Sequence, residues 1–350
     1  MPFGNRAAPV AAAAVLALAG ATLVGVTTTR SDATATSNQV RVGTFNVSGV
    51  NNDPIASGDQ HTWRERRPVV VKEILGAQLD VVGLQEANQS SIYSSSLDYG
   101  KNQYLDLKAA LNNAGGHYAL TNEYYYNCVK DTSNQNCVYQ YRGASGDNRI
   151  IYNTDTVSLV SQGSMLYKAQ TTGKNPRWLV WAKLKMKATG TDFLFTNTHL
   201  DPYSLNVRKA QWGQLITAVN SLKGTLPVIS VGDLSTSKFA SAAATYLPRM
   251  KSSGYGDLLD QRYASYAAAP RAKSVRNAWI NSYNGFRSDV RLYSRPDRSQ
   301  IANNVDWIFA TNSLKAKSWE TVADYDPTTM VLNGVIPAKH NLLAATLVVP

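Results

Sequence analysis

Apolar positions recur along this chain in short runs, and their spacing separates strands from helices. Val40 to Asn46 alternates apolar and polar residues, the period of a strand with one buried face. Leu79 to Gln85 is almost continuously apolar, as in a strand covered on both faces. Between them Pro68 to Gly76 has helical spacing, with proline suited to a first turn and glycine to a stop. Further strands are predicted at Arg149 to Tyr152, Val157 to Val160, Arg177 to Met186, Asp192 to Thr198, Leu226 to Val231, Val305 to Ala310 and Leu342 to Val349. Leu205 to Leu222 reads as a long amphipathic helix and Leu105 to Asn112 as a shorter one. Hairpins mixed with helical crossovers predict an α/β sandwich of mixed sheets rather than a doubly wound parallel sheet.

The chain begins with a basic start, Met1 to Arg6, then an Ala/Val/Leu-rich run to about Val26 and small polar residues ending in Ala33-Thr-Ala35. That order is a secretory signal peptide over residues 1–35, with an uncleaved anchor as the alternative. No later run is apolar enough to span a bilayer, so the mature chain is expected to make no stable membrane insertion. Secretion gives Cys128 and Cys137 a meaning, because an oxidising compartment favours their pairing across a short polar loop. Their spacing, with no nearby histidine or second pair, is not a zinc pattern.

Of the 350 residues, 44% are hydrophobic and 17% charged, which excludes a disordered or fibrous chain and allows a substantial core. No repeat or Pro/Gly/Ser-rich linker divides residues 36–350, so one large domain is expected there. The formal charge of +11 makes a polyanionic partner plausible. Between Gln261 and Gln300, Arg262, Arg271, Lys273, Arg276, Arg287, Arg291, Arg295 and Arg298 face only Asp289 and Asp297. Tyr263, Tyr266, Trp279, Tyr283 and Tyr293 are interleaved with them. Such a stretch is either a nucleic-acid surface, with cations on phosphates and rings on bases, or a solvated basic loop.

The chemistry sits where single polar residues end or interrupt the apolar runs. Asn46 and Glu86 end the first two strands, His199 and Asp233 end two later ones, Asp306 lies inside Val305-Asp-Trp-Ile-Phe309, and His340 precedes the last. Groups at strand ends can converge on one rim of a sandwich. Such a set suits phosphate-ester hydrolysis. Glu86 and Asn46 offer hard oxygens to a divalent ion, Asp233 can orient or deprotonate water, and His199 and His340 can meet charge on phosphoryl oxygens. Each residue also has a plain structural reading: a turn former at Asn46, a solvated charge at Glu86, hydrogen-bonded histidines, and a helix cap near Ser235 at Asp233. Asp306 is the most telling, since a carboxylate among strand apolar residues needs a partner.

Val42-Gly-Thr-Phe-Asn46, Gly83-Leu-Gln-Glu86, Asn197-Thr-His-Leu-Asp201 with Arg208 and Gln211, Val231-Gly-Asp233, Val305-Asp-Trp-Ile-Phe309 and His340-Asn-Leu-Leu343 resemble, in order, the motifs of the DNase I-like endonuclease/exonuclease/phosphatase superfamily. The resemblance implies a four-layer α/β sandwich of two packed mixed sheets. It implies Asn46 and Glu86 on the metal side, with Mg2+ (or Mn2+/Ca2+) as cofactor, and Asp233 orienting the nucleophilic water. His199 and His340 would stand near the scissile phosphate, Asp306 would orient His340, and Arg208 and Gln211 would be framework. Two positions depart from the pattern. Gly-Asp-x-Asn ends here in Ser235, a shorter donor for the phosphate. Ser-Asp-His appears as Ala338-Lys339-His340, so a cation replaces a carboxylate of the metal site, or itself contacts substrate phosphate. Two unit charges about 4 Å apart interact by roughly 1 to 4 kcal/mol between water and a protein surface, and attraction has become repulsion.

The expected function is a secreted metal-dependent phosphoesterase with nucleic acid as favoured substrate. The alternatives are a catalytically impaired relative that binds polyanionic or phosphorylated ligands, and a sphingomyelinase-like phospholipid phosphodiesterase. The sequence is silent on oligomeric state.

Overall fold

The computed structural model describes residues 38–53, 59–100, 102–122, 146–259 and 274–350. Residues 1–35, where a signal peptide is expected, both cysteines, Arg262, Tyr263, Tyr266, Arg271 and Lys273 lie outside them. In chain order the elements are β1 (Gln39–Asn46), α1 (Trp63–Gly76), β2 (Val81–Gln85), α2 (Gln103–Asn113), β3 (Tyr118–Leu120), β4 (Arg149–Asn153), β5 (Val157–Leu166), β6 (Trp178–Met186), β7 (Asp192–His199), α3 (Leu205–Lys223), β8 (Val228–Asp233), α4 (Ser241–Ser252), β9 (Tyr255–Asp257), β10 (Val275–Arg276), β11 (Asp306–Thr311), β12 (Lys315–Thr321), β13 (Tyr325–Asp326), β14 (Val331–Leu332) and β15 (Leu343–Val348). One sheet has the order β10-β12-β15-β1-β2-β4-β3 and the other β5-β6-β7-β8-β11-β9. Both are mixed: β1 runs parallel to β2 and β7 parallel to β8, whereas most other pairs are antiparallel.

The alternation of side chains explains four layers. In β11, Ile308 and Ala310 turn into the core between the sheets, while Trp307 and Phe309 turn outward under α3 and α4 with Trp212, Leu215 and Met250. In β2, Val81 faces the other sheet, and Val82 and Leu84 face α1 and α2 with Val70, Ile74, Leu107 and Leu111. Strands with apolar residues on both faces are covered on both faces, which is why they read as continuous runs. No helix among the described residues is long and apolar enough to cross a membrane.

The sheets approach closely at the end that carries the site. A Cβ on Gly83 would lie 2.4 Å from Val231 Cγ2 and 2.8 Å from the Asn197 side chain, so only glycine lets β2 meet β7 and β8 there. Buried amides lock the same place. Gln85 Nε2 donates to Asn197 Oδ1 at 2.6 Å and to Thr44 Oγ1 at 3.0 Å, and Asn197 Nδ2 donates to the Leu84 and Arg149 carbonyls, both at 2.8 Å. A buried polar network between two apolar faces fixes their register, here with Gln85 Oε1 as its one atom without a partner. It sets the ends of β1 and β2 against those of β7 and β8.

Several bounds differ from the sequence expectation. Helix α1 starts at Trp63, not Pro68, because Thr62 and Glu65 form a capping box in which Glu65 Oε2 accepts the Thr62 N–H at 2.9 Å. Pro68 is inside the helix. Strand β5 runs on to Leu166 past an irregularity between Leu159 and Ser161 that breaks the two-residue period, with Val160 turned out to solvent.

Candidate active site

Strand pairing alone brings three of the six groups together in one sheet and sets two more side by side in the other. His199 is opposite Asp233 across β7 and β8, and Asp306 is opposite Asp233 across β8 and β11. Asn46 ends β1 beside Gln85, and Glu86 follows. Behind Asp233 is Gly232, whose φ of 156° and imagined Cβ, 2.2 Å from the Thr198 carbonyl oxygen, admit no side chain. Thus β8 is pressed onto β7 where the carboxylate emerges.

Asp233 is the hub. Its Oδ2 accepts the Asn46 amide at 3.1 Å and lies 3.4 Å from His199 Nε2 and 3.7 Å from His340 Nε2. Its Oδ1 accepts the Ser235 N–H at 2.8 Å, so Asp233 closes a local turn and caps no helix there. His340 Nδ1 donates to Asp306 Oδ2 at 2.7 Å, and both side chains are buried. Burial works against a charged imidazole, but Asp306 and Asp233 outweigh it and hold the His340 pKa up at about 9. Burial dominates at His199 and pushes its pKa down to about 4, against the pull of Asp233. At neutral pH the cluster therefore has an imidazolium at His340 and a neutral imidazole at His199. Burial also opposes charge on Asp233, yet the histidines, the Ser235 N–H and the Asn46 amide keep its pKa below the usual carboxylate value.

Glu86 stands across Asn46 from this hub, at a left-handed φ of 53°. The Asn46 amide donates to Glu86 Oε1 at 3.0 Å, and Lys339 Nζ lies 3.5 Å from Oε2. Burial raises the pKa of this carboxyl, but Lys339 first, then His199 and Asn46, outweigh it and take it down to about 2. Glu86, His199 and Lys339 line a cleft of about 500 Å³ with Asp147, Arg177, Tyr203 and a group of amides including Asn51, Asn88 and Asn175. Asp233 and His340 are buried next to the cleft-lining His199, with Asp233 Oδ2 3.4 Å from His199 Nε2. Ser235 does not face the cleft, since its hydroxyl donates to the Leu200 carbonyl at 3.1 Å.

The residues present do not fit a divalent ion at Glu86. Asn46 spends its carbonyl on the Ser48 N–H at 3.1 Å and turns its NH2 toward the carboxylates. What remains there is Glu86, already paired with an ammonium, and on the same cleft wall Asp147, whose Oδ1 accepts the Gln89 N–H at 2.9 Å, where Mg2+ asks for several hard oxygens. Among the described residues, Asp233, Asp306 and His340 alone form a group whose atoms lie close enough to hold an ion, within 4.8 Å of one another. Asp306 Oδ2 is engaged by His340, and Asp233 by Asn46 and Ser235, while Asp306 Oδ1 is buried with no hydrogen-bond partner.

Three supports were not legible as functional. Arg66 of α1, fully buried, donates to the carbonyls of Val47 at 2.9 Å, Ser48 at 3.1 Å and Pro337 at 2.8 Å, tying the loop after β1 to the segment carrying Lys339 and His340. The Thr62-x-x-Glu65 box could have placed it on a helix. Arg177 and Asp147 join the cleft from segments without a motif. Arg208 and Gln211 hold the loop after His199: Arg208 Nη1 donates to the Asp201 carbonyl at 2.7 Å and Gln211 Oε1 accepts the Asp201 N–H at 2.8 Å. His61 and His117 lie elsewhere, near Glu65 and Asp155.

No protein-family model and no curated protein matches the sequence. Solved structures do. An endonuclease/exonuclease/phosphatase family protein from Bacteroides thetaiotaomicron superposes with a TM-score of 0.62 at 19% identity, over 89% of this chain and 98% of that one. The fold is the DNase I-like four-layer sandwich. A mannosyl-6-phosphatase from the same organism gives 0.62 at 18% identity over 89% and 100% of the two chains. The human nocturnin catalytic domain, solved with a bound sulfate anion, gives 0.55 at 19% identity over 89% and 94%. At these identities the likeness is one of fold.

The basic stretch is only partly a surface. Trp279 and Tyr293 are buried in a small core with Ile280, Phe286, Val290 and Leu332, so they are not stacking platforms. Tyr283 is 49% exposed, with its ring edge-on to His340 at 5.1 Å.

Proposed function

We propose that this protein is a phosphate-ester hydrolase. The observation that carries the reading is Asp233 held between a neutral His199 and an imidazolium His340 that is itself backed by Asp306. In this reading the Asp233 carboxylate takes a proton from water as its oxygen bonds to phosphorus. The ester P–O bond breaks, and His340 gives its Nε2 proton to the departing oxygen. His199 Nε2–H donates to a phosphoryl oxygen as charge builds there. Asn46 holds Asp233 and Glu86 apart at fixed spacing, and Ser235 orients Asp233. The leader at residues 1–35 supports action outside the cell.

Two substrate classes are supported by different features. The exposed Tyr283 beside His340, followed by exposed Arg287, Arg291 and Arg298, favours a nucleic acid, with a ring for a base and cations for phosphates. The amide-lined cleft next to Glu86 favours a small polyol phosphate, consistent with the mannosyl-6-phosphatase of the same fold. A panel of DNA, RNA, sugar phosphates and sphingomyelin vesicles, with and without Mg2+, tests the reading. Hydrolysis of any class supports it, with the preferred class naming the substrate. Binding without release of product under every condition replaces it with a polyanion-binding role.

A further inference from the structure

We infer that the Lys339 ammonium group, with Arg177 of the same cleft, supplies the positive charge that a divalent ion would supply at Glu86, so that the site hydrolyses its phosphate ester without one. The inference rests on the phosphoesterase reading and adds the identity of its cation. Lys339 is not a loose surface lysine. Its N–H donates to Ser48 Oγ at 2.9 Å, and its carbonyl accepts the N–H groups of Asn284 at 2.8 Å and Gly285 at 3.0 Å. The neighbours on either side, Ala338 and His340, are buried. From this clamped backbone the side chain, 29% exposed, reaches to 3.5 Å from Glu86 Oε2 and lines the cleft.

An ammonium group has three N–H donors, and the pair with Glu86 uses one, leaving two for phosphoryl oxygens. Arg177 lines the same cleft, and its buried Nε has no hydrogen-bond partner in the protein. A guanidinium presents a planar fork that matches phosphate oxygens, and an unsatisfied buried N–H is costly until such a partner arrives. The cleft wall thus has two basic side chains, Lys339 and Arg177, against Glu86 and Asp147. No atom count changes: water still adds to phosphorus, the ester oxygen still leaves, and the two cations compensate the phosphoryl charge from outside the bonds being made and broken.

The test uses the purified, chelator-treated chain with bis(p-nitrophenyl) phosphate, p-nitrophenyl phosphate and the best substrate of the panel. Hydrolysis in excess EDTA equal to that in Mg2+ or Mn2+ is expected, with Lys339→Met slower by about a hundredfold. Lys339→Asp is expected to bind Mn2+ in a calorimetric titration where the wild type does not. Wild-type hydrolysis abolished by EDTA and restored by Mn2+, or wild-type Mn2+ affinity equal to that of Lys339→Asp, overturns the inference. If no substrate is hydrolysed under any condition, the phosphoesterase reading fails, and the Mn2+ titration still decides whether Lys339 holds the cation's place.

Discussion

Replacing Asp306 by Asn tests the link between a buried ion pair and the chemistry of His340. The substitution keeps the shape of the side chain and removes the charge 2.7 Å from Nδ1. His340 is held at about 9 against an ordinary 6.5, and that difference corresponds to about 3 kcal/mol favouring the imidazolium. Asp306, Asp233 and, least, Glu86 supply it, and Asp306 is nearer than Asp233, whose oxygen lies 3.7 Å from Nε2. With Asp306 neutral, burial pulls the pKa down, so the alkaline limb of kcat/KM should move toward neutrality by at least about one pH unit. Because the folded pKa of His340 is raised above the unfolded one, its charge stabilises fully below 6.5 as long as Asp306 stays ionised, and this stability is lost as pH rises through about 9. Asp306→Asn should therefore cost more stability at about pH 6 than at about pH 10. A pH–rate profile, histidine NMR titration and urea melts at the two pH values read all three. An unmoved alkaline limb, or a larger stability loss at high pH, refutes the assignment of the proton to His340.

Other perturbations address the scaffold that aims the site. Asn197→Ala should cost about 3 kcal/mol in urea unfolding, because it leaves Gln85 and two buried carbonyls without their partner between the sheets. Gly232→Ala should destabilise by about 2 kcal/mol or more and cost activity with it, since its Cβ would collide with the Thr198 carbonyl. Arg66→Leu leaves the Val47 and Pro337 carbonyls unpaired and Ser48 with only the Gln103 amide, with an expected loss of about 3 kcal/mol in thermal or urea melts.

The parts of the molecule that could be read from sequence were those with local signals. Strands such as β2 and β11 show as apolar runs because helices and a facing sheet cover both sides, and α3 shows through its 3.6-residue stripe. The end of β5 was lost because its irregularity shifts the alternation at Val160. Helix α4 was missed because it opens on small residues, Ser241 to Thr245, and carries Pro248 in its interior. The aromatic residues of the basic stretch looked like a binding surface, yet Trp279 and Tyr293 fill a core of their own. At the site, residue types at strand ends pointed to one cluster, but its charge state was not legible. Opposite shifts at His199 and His340 depend on which carboxylate each ring meets, which only the sheet register fixes. Likewise Lys339 read as a lost metal ligand, and only its distance to Glu86 shows an ion pair in that place.

The most direct measurement is turnover of the preferred panel substrate by the wild type and by Asp233→Asn, with urea melts confirming that the variant folds. The account predicts a fall in kcat of roughly a hundredfold to ten-thousandfold, because the carboxylate that takes the water proton is gone. A folded Asp233→Asn protein working at the wild-type rate would contradict it.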